Sequence, residues 1–337
     1  MNNIMPPPPP STPHEIPAQE AGQRVDNWLL KYFRGIPKSH VYRLIRTGQV
    51  RINGRRIKPT YRLMAGDRIR IPPFSPSPRT LAREKKPVRH LSADYSILYE
   101  DDDFMVLNKP SGLAVHGGTG IVAGLIERIR ATQPVGAYLE LAHRLDRSTS
   151  GCLVFAKHRS SLIAIHAALR AGQLDKCYLA LLRGSPPWNL RTVEDSIARS
   201  RVLGGERISQ IAPDGKRARS HFRIVRRWPM AALAEIRIET GRTHQIRVHA
   251  ASLGHPIAGD EKYGEREFNR LLKTRYGLKR LFLHARALTL THPGTNEPFT
   301  VQAPLPTDLE STLLALDQAA SAGDPETPSH PLDESMD

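Results

Sequence analysis

An α+β protein built from two unequal domains is what the sequence predicts, on three observations. Within a basic segment near the N-terminus, apolar residues recur first at helical and then at strand spacing. Strand-like runs and helical patterns alternate again beyond residue 95. Between the two lies a proline-bearing stretch with no hydrophobic pattern. A chain of 337 residues is long enough for two domains and a sizeable core. Its 49 Lys and Arg against 33 Asp and Glu give a formal net charge of +16, which favours a polyanionic partner: nucleic acid or an anionic membrane surface. Leu162 to Leu169 is broken by His166 and followed by Arg170, so no run approaches the roughly 18 apolar residues of a span, and a membrane is not expected. Cys152 and Cys177, without CxxC spacing, fit a reduced cytoplasmic protein with buried thiols. Met1 to Pro10 have neither the basic nor the apolar region of a secretory leader.

Residues 1–21 contain the run Pro6 to Pro10 and read as a disordered proline-rich lead. Residues 22–72 form a compact basic unit. Val25, Leu29 and Phe33 mark one helix; Ser39 caps a second, which carries Val41, Leu44 and Ile45 and ends at Gly48. Val50-Arg51-Ile52 and Arg55-Arg56-Ile57 flank Asn53-Gly54, a pair suited to the positive φ angles of a hairpin turn, and Arg68 to Ile71 is a further strand. Two helices followed by small strands in this order resemble a ribosomal-protein-S4-type RNA-binding domain. The charge agrees independently: Lys31 to Arg70 hold 12 Lys and Arg and one acid, Asp67, supplying 11 of the 16 net charges. Lys38, Arg43 and Arg46 near the second helix and Arg51, Arg55 and Arg56 on the hairpin are the candidate phosphate contacts. Residues 73–94 read as a semi-extended linker.

The larger domain spans 95–310. Ile97-Leu98-Tyr99, an acidic turn at Glu100 to Asp103, and Phe104 to Lys109 read as strand, turn, strand, with the aspartates on a solvated tip. Gly117 to Gly120 lack the lysine and spacing of a P-loop and read as a flexible loop. Cys152 to Ala156 is a buried strand, Ser160 to Leu169 a helix, and Tyr178 to Leu182 the next strand. Glu235 to Glu239 alternate as a half-buried strand, and a helix follows from Thr243 to about Leu253, stopped by Gly254. His244, His249 and His255 are spaced by five and six residues, off any one helical face, and no Cys or carboxylate completes a set, so no metal is expected. Residues 311–337 read as an acidic, largely disordered tail.

Between the first of these strands and the buried one lies His143-Arg144-Leu145-Asp146-Arg147-Ser148-Thr149-Ser150-Gly151. Cations on both sides of Asp146 favour an ionised carboxylate, which can act as a nucleophile or a poised base; in a bare Arg-x-Asp-Arg, ordinary surface ion pairs would explain the pattern equally well. The whole nonapeptide, however, resembles the signature loop of the RluA-type pseudouridine synthases. The likeness continues in Asn108-Lys109-Pro110-Ser111-Gly112-Leu113 with Val115-His116, then Lys176 to Ala180, Thr240 to His249, and Leu281 to Ala285. It covers residues 95 to about 305.

This resemblance implies a catalytic domain built on a mixed, mainly antiparallel sheet flanked by helices. It implies an isomerase that converts uridine in RNA to pseudouridine without a cofactor. By the same resemblance Asp146 is the catalytic carboxylate, Tyr178 stacks on the target base and helps to remove its proton, and Arg247 pairs with the aspartate. Arg144 then fills the place of the flipped base, and Leu283 lines the base pocket. The Asn108 to Leu113 segment supports the active-site loop. Gly205 to Ile208, Arg266 to Arg270 and Arg280 to Ala285 are closest to type C enzymes of bacterial large-subunit (23S) ribosomal RNA, which modify more than one uridine. A type D enzyme with other target uridines, or a catalytically decayed ribosome-associated RNA-binding protein, is the alternative. The protein is expected to act as a cytoplasmic monomer.

Overall fold

The computed structural model describes residues 13–33, 38–72, 95–116, 124–134, 137–201 and 207–322. The Pro6 to Pro10 run, the 73–94 linker, Gly117 to Gly120, Gly205-Glu206 and the tail beyond 322 lie outside them. Two compact units divide between Ser92 and Ala93, within the stretch read as linker.

In the first unit, Val25–Tyr32 (α1) and Lys38–Arg46 (α2) pack against a small sheet of His14–Glu15 (β1), Arg51–Ile52 (β2) and Arg68–Arg70 (β3), in the order β1-β3-β2. Val25, Leu29, Phe33, Val41, Leu44 and Ile45, the helical residues predicted as apolar, all enter one core with Ile52 and Ile69. Two expectations change. Residues 14–21 are not a disordered lead: β1 pairs with β3, and Ile16, 1% exposed, fills the core. The Asn53-Gly54 turn forms, with φ of 50° and 77°, yet residues 55–57 do not continue a hairpin; only Arg55 bridges Ile52. The cause is the side chain of Asn53. Its Oδ1 accepts from the Arg68 amide at 2.9 Å and its Nδ2 donates to buried Asp67 at 2.8 Å, so β2 is drawn to β3 instead.

The second unit is one large sheet. Its strands are Ser96–Glu100 (β4), Phe104–Lys109 (β5), Glu140–Leu141 (β6), Ser150–Ala156 (β7), Asp175–Arg183 (β8), Leu190–Arg201 (β9), Arg207–Ile211 (β10), Lys216–Trp228 (β11), Ala231–Ile238 (β12), Leu283–Thr291 (β13) and Pro298–Gln302 (β14). The order is β10-β9-β11-β12-β8-β13-β7-β5-β4, with β14 beside β13 and β6 beside β7. Only β13 and β7 run parallel among the described strands, as a mixed, mainly antiparallel sheet requires. Alternate residues of each strand serve opposite faces: Met105, Leu107, Leu153 and Phe155 pack with Leu125–Thr132 (α3) and Gln245–Ser252 (α5), whereas Phe104, Val106, Cys152 and Val154 pack with Arg159–Arg170 (α4).

Arg266–Arg275 (α6) and Thr307–Ser321 (α7) close a third cluster over Leu181 and Phe282. The tail expected to begin at 311 therefore starts later: Leu316 is buried in that cluster, and Asp317 accepts from Trp228 Nε1 at 2.9 Å. The acidic turn is also less solvated than expected. Asp101 accepts from the Asp103 and Phe104 amides and from the Tyr99 hydroxyl, each at 2.8 Å, while Asp103 takes the Ser161 hydroxyl at 2.6 Å. Cys152 and Cys177 are free, and burial pushes their thiols up to about 12 and about 11. Among the described residues no helix is long and apolar enough to cross a membrane.

The junction that matters for the site is β7 against β13. Gly151 adopts φ +110° opposite Ala285, and a Cβ there would lie 2.2 Å from the Ala285 carbonyl oxygen. Only glycine tolerates both the angle and the approach. Gly151→Ala should lower unfolding free energy by about 2–5 kcal/mol, from backbone strain and overpacking together. Urea unfolding followed by fluorescence measures this; an unchanged midpoint would show that the two strands need no such closeness.

Candidate active site

Asp146 sits on the loop between β6 and β7, its side chain 19% exposed. The loop is braced from below by the residues after β5. Lys109, fully buried, donates its ammonium to the carbonyls of Pro110 (2.8 Å), Leu113 (3.0 Å) and Arg147 (3.1 Å). Burial pushes Lys109 down to about 7, and the three carbonyls match the three protons of its charged form. Ser111 Oγ donates to Ser148 O at 2.7 Å, and Arg147 and Gly112 exchange two bonds of 2.8 Å. At the far end Ser150 Oγ contacts His284 Nδ1 at 3.0 Å, with His284 Nε2 on the Ala303 carbonyl at 3.2 Å. That ring is buried, which lowers it to about 4 and leaves it neutral. A flexible-looking Ser/Thr/Gly loop is thus tied at both ends to the sheet.

Arg247, on α5, approaches Asp146 Oδ2 with Nη1 at 3.7 Å. Its principal partner is another acid, a correction to the simple Asp146 pair expected. Nε and Nη2 each donate to Asp260 at 2.7 Å in a bidentate, buried pair, so only the Nη1 edge remains to face Asp146. Burial opposes the charge on Asp260, but the Arg247 bonds and the amides of Lys262 and Tyr263 outweigh it and hold the carboxyl below its ordinary value. The Tyr263 ring lies against the guanidinium, 5.0 Å from its centroid.

Tyr178 and Leu283 occupy neighbouring strands, β8 and β13, and share one apolar cluster with Leu145, the residue before Asp146. Both are nearly buried, at 7% and 3% exposure. Burial first, and the charge of Asp146 second, push the Tyr178 phenol far above its ordinary value, so it stays protonated at neutral pH. Arg144 is exposed, two residues before Asp146, and has no ion-pair partner among the described residues. The three histidines separate: His249 Nδ1 meets Ser220 Oγ at 3.0 Å, His255 Nδ1 takes a position 2.9 Å from the Arg183 carbonyl, and His244 Nε2 lies 3.8 Å from Asp146 Oδ2. The helix begins at Gln245 rather than Thr243, because His244 takes φ 57° and the Gln245 side chain bonds back to Thr240 and the Arg242 amide.

The family described as RNA pseudouridylate synthase matches residues 103–252, and the S4 domain matches residues 23–69. A protein of Salmonella typhimurium named ribosomal large subunit pseudouridine synthase C is 49% identical, over 90% of this chain and 96% of its own. Proteins of the same name from Escherichia coli K12 and Pasteurella multocida are 48% and 44% identical, over 90% and 91% of this chain and 96% and 94% of theirs. The chain belongs to the RNA pseudouridylate synthase family.

Solved structures agree in fold with this synthase. Human RNA pseudouridylate synthase domain containing 4 superposes with a TM-score of 0.54 at 26% identity, over 66% of this chain and 93% of that one. Domain containing 1 gives 0.53 at 27%, over 68% and 95%. In the S4 domain, Arg43, Arg46 and Arg56 line one concave surface of about 630 Å³ with Ser39, Tyr42, Lys58 and the apolar Ile45, Ile57 and Pro59. Arg55 is exposed outside that surface, and Arg51 turns back to the Gly48 and Gly54 carbonyls at 3.2 and 3.4 Å. Lys38 opens α2, and its side chain lies outside the description.

Sequence reasoning passed over His244 except as a metal candidate, and missed Asp260, Tyr263, Lys58 and Tyr42. A signal existed in Gly259-Asp260-Glu261-Lys262-Tyr263-Gly264, where two glycines bracket an acid and an aromatic. Asp260→Asn should cost about 3–5 kcal/mol by stranding a buried guanidinium. Because the folded carboxyl lies below its ordinary value, the Asp260 contribution is fully present above about pH 4 and is lost as pH falls through the folded value. Urea midpoints from pH 7 to pH 3 should therefore fall less steeply in Asp260→Asn than in wild type; parallel curves would place the acid sensitivity elsewhere.

Proposed function

We propose that this synthase isomerises uridines of 23S ribosomal RNA of the large subunit to pseudouridine, at more than one site, with Asp146 acting on a flipped-out nucleotide. One observation carries the reading: a partly exposed carboxylate on a braced loop stands beside the apolar pair Tyr178 and Leu283, and the free edge of Arg247 points at it from 3.7 Å. The ribosomal substrate is supported by 44–49% identity to the type C proteins along at least 90% of the chain, through both units. The S4 domain, whose Lys31 to Arg70 segment holds 12 Lys and Arg against one acid, supplies RNA affinity. The protein acts in the cytoplasm as a monomer.

Extracting a uridine from its stack costs a few kcal/mol. Arg144, exposed and without an ion-pair partner among the described residues, fills the space left in the RNA. Asp146 acts at the sugar, by adding to C1′ or by taking a 2′ proton, as the N1–C1′ bond breaks. The uracil turns while held between Tyr178 and Leu283, C5 joins C1′, and the C5 proton leaves. Tyr178, kept neutral by burial and by Asp146, stacks on the base and helps to remove that proton, taking it at oxygen as its own O–H proton passes to the freed Asp146 carboxylate or to water. Atoms and electrons balance within the nucleotide, so the reaction calls for no redox cofactor.

Tritium release from large-subunit RNA labelled at uridine C5 tests the proposal. Wild type should release tritium without added cofactor, and Asp146→Asn should bind RNA with nearly unchanged affinity yet release none; retained turnover would remove Asp146 from its role. Replacing Arg43, Arg46 and Arg56 together by Ala should weaken RNA binding and flatten the log–log salt slope by about 2–3, since each phosphate contact contributes about 0.7–0.9. An unaltered slope would place the phosphate contacts on another surface.

A further inference from the structure

A hydrogen-bonded chain runs from the edge of the sheet to His244, whose other ring nitrogen faces the carboxylate assigned above. The Ser209 amide, on β10, donates to the Tyr263 hydroxyl oxygen at 2.8 Å, and that hydroxyl lies 2.8 Å from His244 Nδ1. The opposite ring nitrogen, Nε2, is 3.8 Å from Asp146 Oδ2. His244 holds this pose at φ 57°, a left-handed backbone region that few non-glycine residues occupy and that surrounding contacts must sustain. Its side chain is 12% exposed and packs edge-on to Tyr263, with ring centroids 5.5 Å apart.

We propose that His244 is a positioning residue for Asp146, locked by Tyr263 as the Nε2–H tautomer so that a neutral N–H donor faces the carboxylate beside Arg247. The inference rests on the reading of Asp146 given above. Electrostatics selects the tautomer. If Nδ1 carried the proton, the bare lone pair of Nε2 would face a carboxylate, which only accepts. With the Tyr263 O–H donated to Nδ1, the proton sits on Nε2, and the second lone pair of the phenol oxygen takes the Ser209 amide. The phenol oxygen and Nδ1 are then satisfied, and the Nε2–H faces the carboxylate from 3.8 Å.

The groups around the imidazole keep it neutral. Burial comes first, and Arg247 and Lys262 add to it against the attraction of Asp146 and Asp260, so His244 lies below its ordinary value. A neutral donor orients a carboxylate without adding a second full charge to compete for it. Both His244 and Arg247 approach Oδ2, which leaves Oδ1 for the sugar. Tyr263 coordinates the two donors: its hydroxyl holds the imidazole, its ring carries the Arg247 guanidinium, and its amide donates to Asp260 at 3.1 Å.

The test is single-turnover conversion of a uridine-bearing large-subunit RNA by the full chain from pH 5.5 to 8.5, with RNA affinity measured in parallel. His244→Ala should slow conversion about 10- to 100-fold, the scale of an ångström-level misplacement, at unchanged Kd. His244→Asn, which tolerates positive φ but is too short to reach, should behave alike, whereas His244→Gln should recover part of the rate by presenting an N–H donor. Tyr263→Phe removes the lock on Nδ1 and frees the ring to take the other tautomer, so conversion should fall at unchanged Kd, and its acid-side loss should lie below the ordinary histidine value because burial and the charges of Arg247 and Lys262 remain. A purely structural histidine would move neither the pH profile nor the Gln rescue. Wild-type rates and profiles in folded His244→Asn and Tyr263→Phe would overturn the inference. Asp146→Asn separates the two readings: conversion by that variant defeats the assignment of Asp146 itself, while its inactivity beside fully active His244 variants defeats only the role of His244.

Discussion

The buried pair of Arg247 and Asp260 is the constraint around which the catalytic unit is arranged. Removing two such charges from water costs several kcal/mol each, and the cost is offset only when geometry is good and remaining lone pairs are met. Here the carboxylate receives both guanidinium bonds at 2.7 Å and the amides of Lys262 and Tyr263 at 2.9 and 3.1 Å. The pair joins helix α5 to the 257–264 turn, and the turn is itself pressed against the chain before β13: a Cβ on Gly259 would lie 2.0 Å from the Arg280 carbonyl oxygen. With two of its three nitrogens committed, the guanidinium has a fixed orientation, and the third becomes a directed charge rather than a mobile one.

The Asp146 loop meets that charge from the opposite side, and its own rigidity has a different origin. Hydrogen bonds from Lys109, Ser111 and Gly112 hold its backbone, and Gly151 allows β13 to close against β7. Polar anchoring of this kind lets a loop carry an incompletely paired carboxylate. No hydrogen bond to the Asp146 side chain is needed to place it, so its oxygens stay available. The gaps of 3.7 and 3.8 Å to Arg247 and His244 fit a site that tightens when substrate arrives.

Much of this was legible in the chain because it was local. Helical and strand periodicity located α1, α2, β5, β7 and α4 within a few residues, since burial on one face leaves its period in the sequence. The motif around Asp146 was legible as a resemblance, and with it Tyr178, Arg247 and Leu283. What escaped was non-local. Asp260 satisfies Arg247 from 13 residues away across a turn, and no periodicity marks such a partner. His244 stood inside a recognised block but looked like a helical residue, because neither its positive φ nor its contact with Tyr263, 19 residues on, leaves a mark in the local spacing. The pairing of β2 with β3 in place of a longer hairpin turned on Asn53 and Asp67, 14 residues apart. Residues 14–16 were hidden by the proline-rich composition beside them, although a single buried Ile16 was enough to order them.

Charge placement differs between the surfaces of the two units. On the sheet of the catalytic unit most arginines of β11 and β12 pair with acids: Arg217 and Arg219 with Glu194, Arg223 with Glu235, Arg226 with Asp317, and Arg237 with Asp175, while Arg227 donates to the Pro186 and Trp188 carbonyls. Such exposed pairs contribute little to stability, but they cancel the field that would draw a phosphate backbone to this face. In the S4 domain the opposite holds. Arg46, Arg56 and Lys58 border one concave surface with no acid on its lining. The two surfaces therefore differ in kind: the S4 lining carries one sign of charge, whereas most arginines of β11 and β12 are paired with acids.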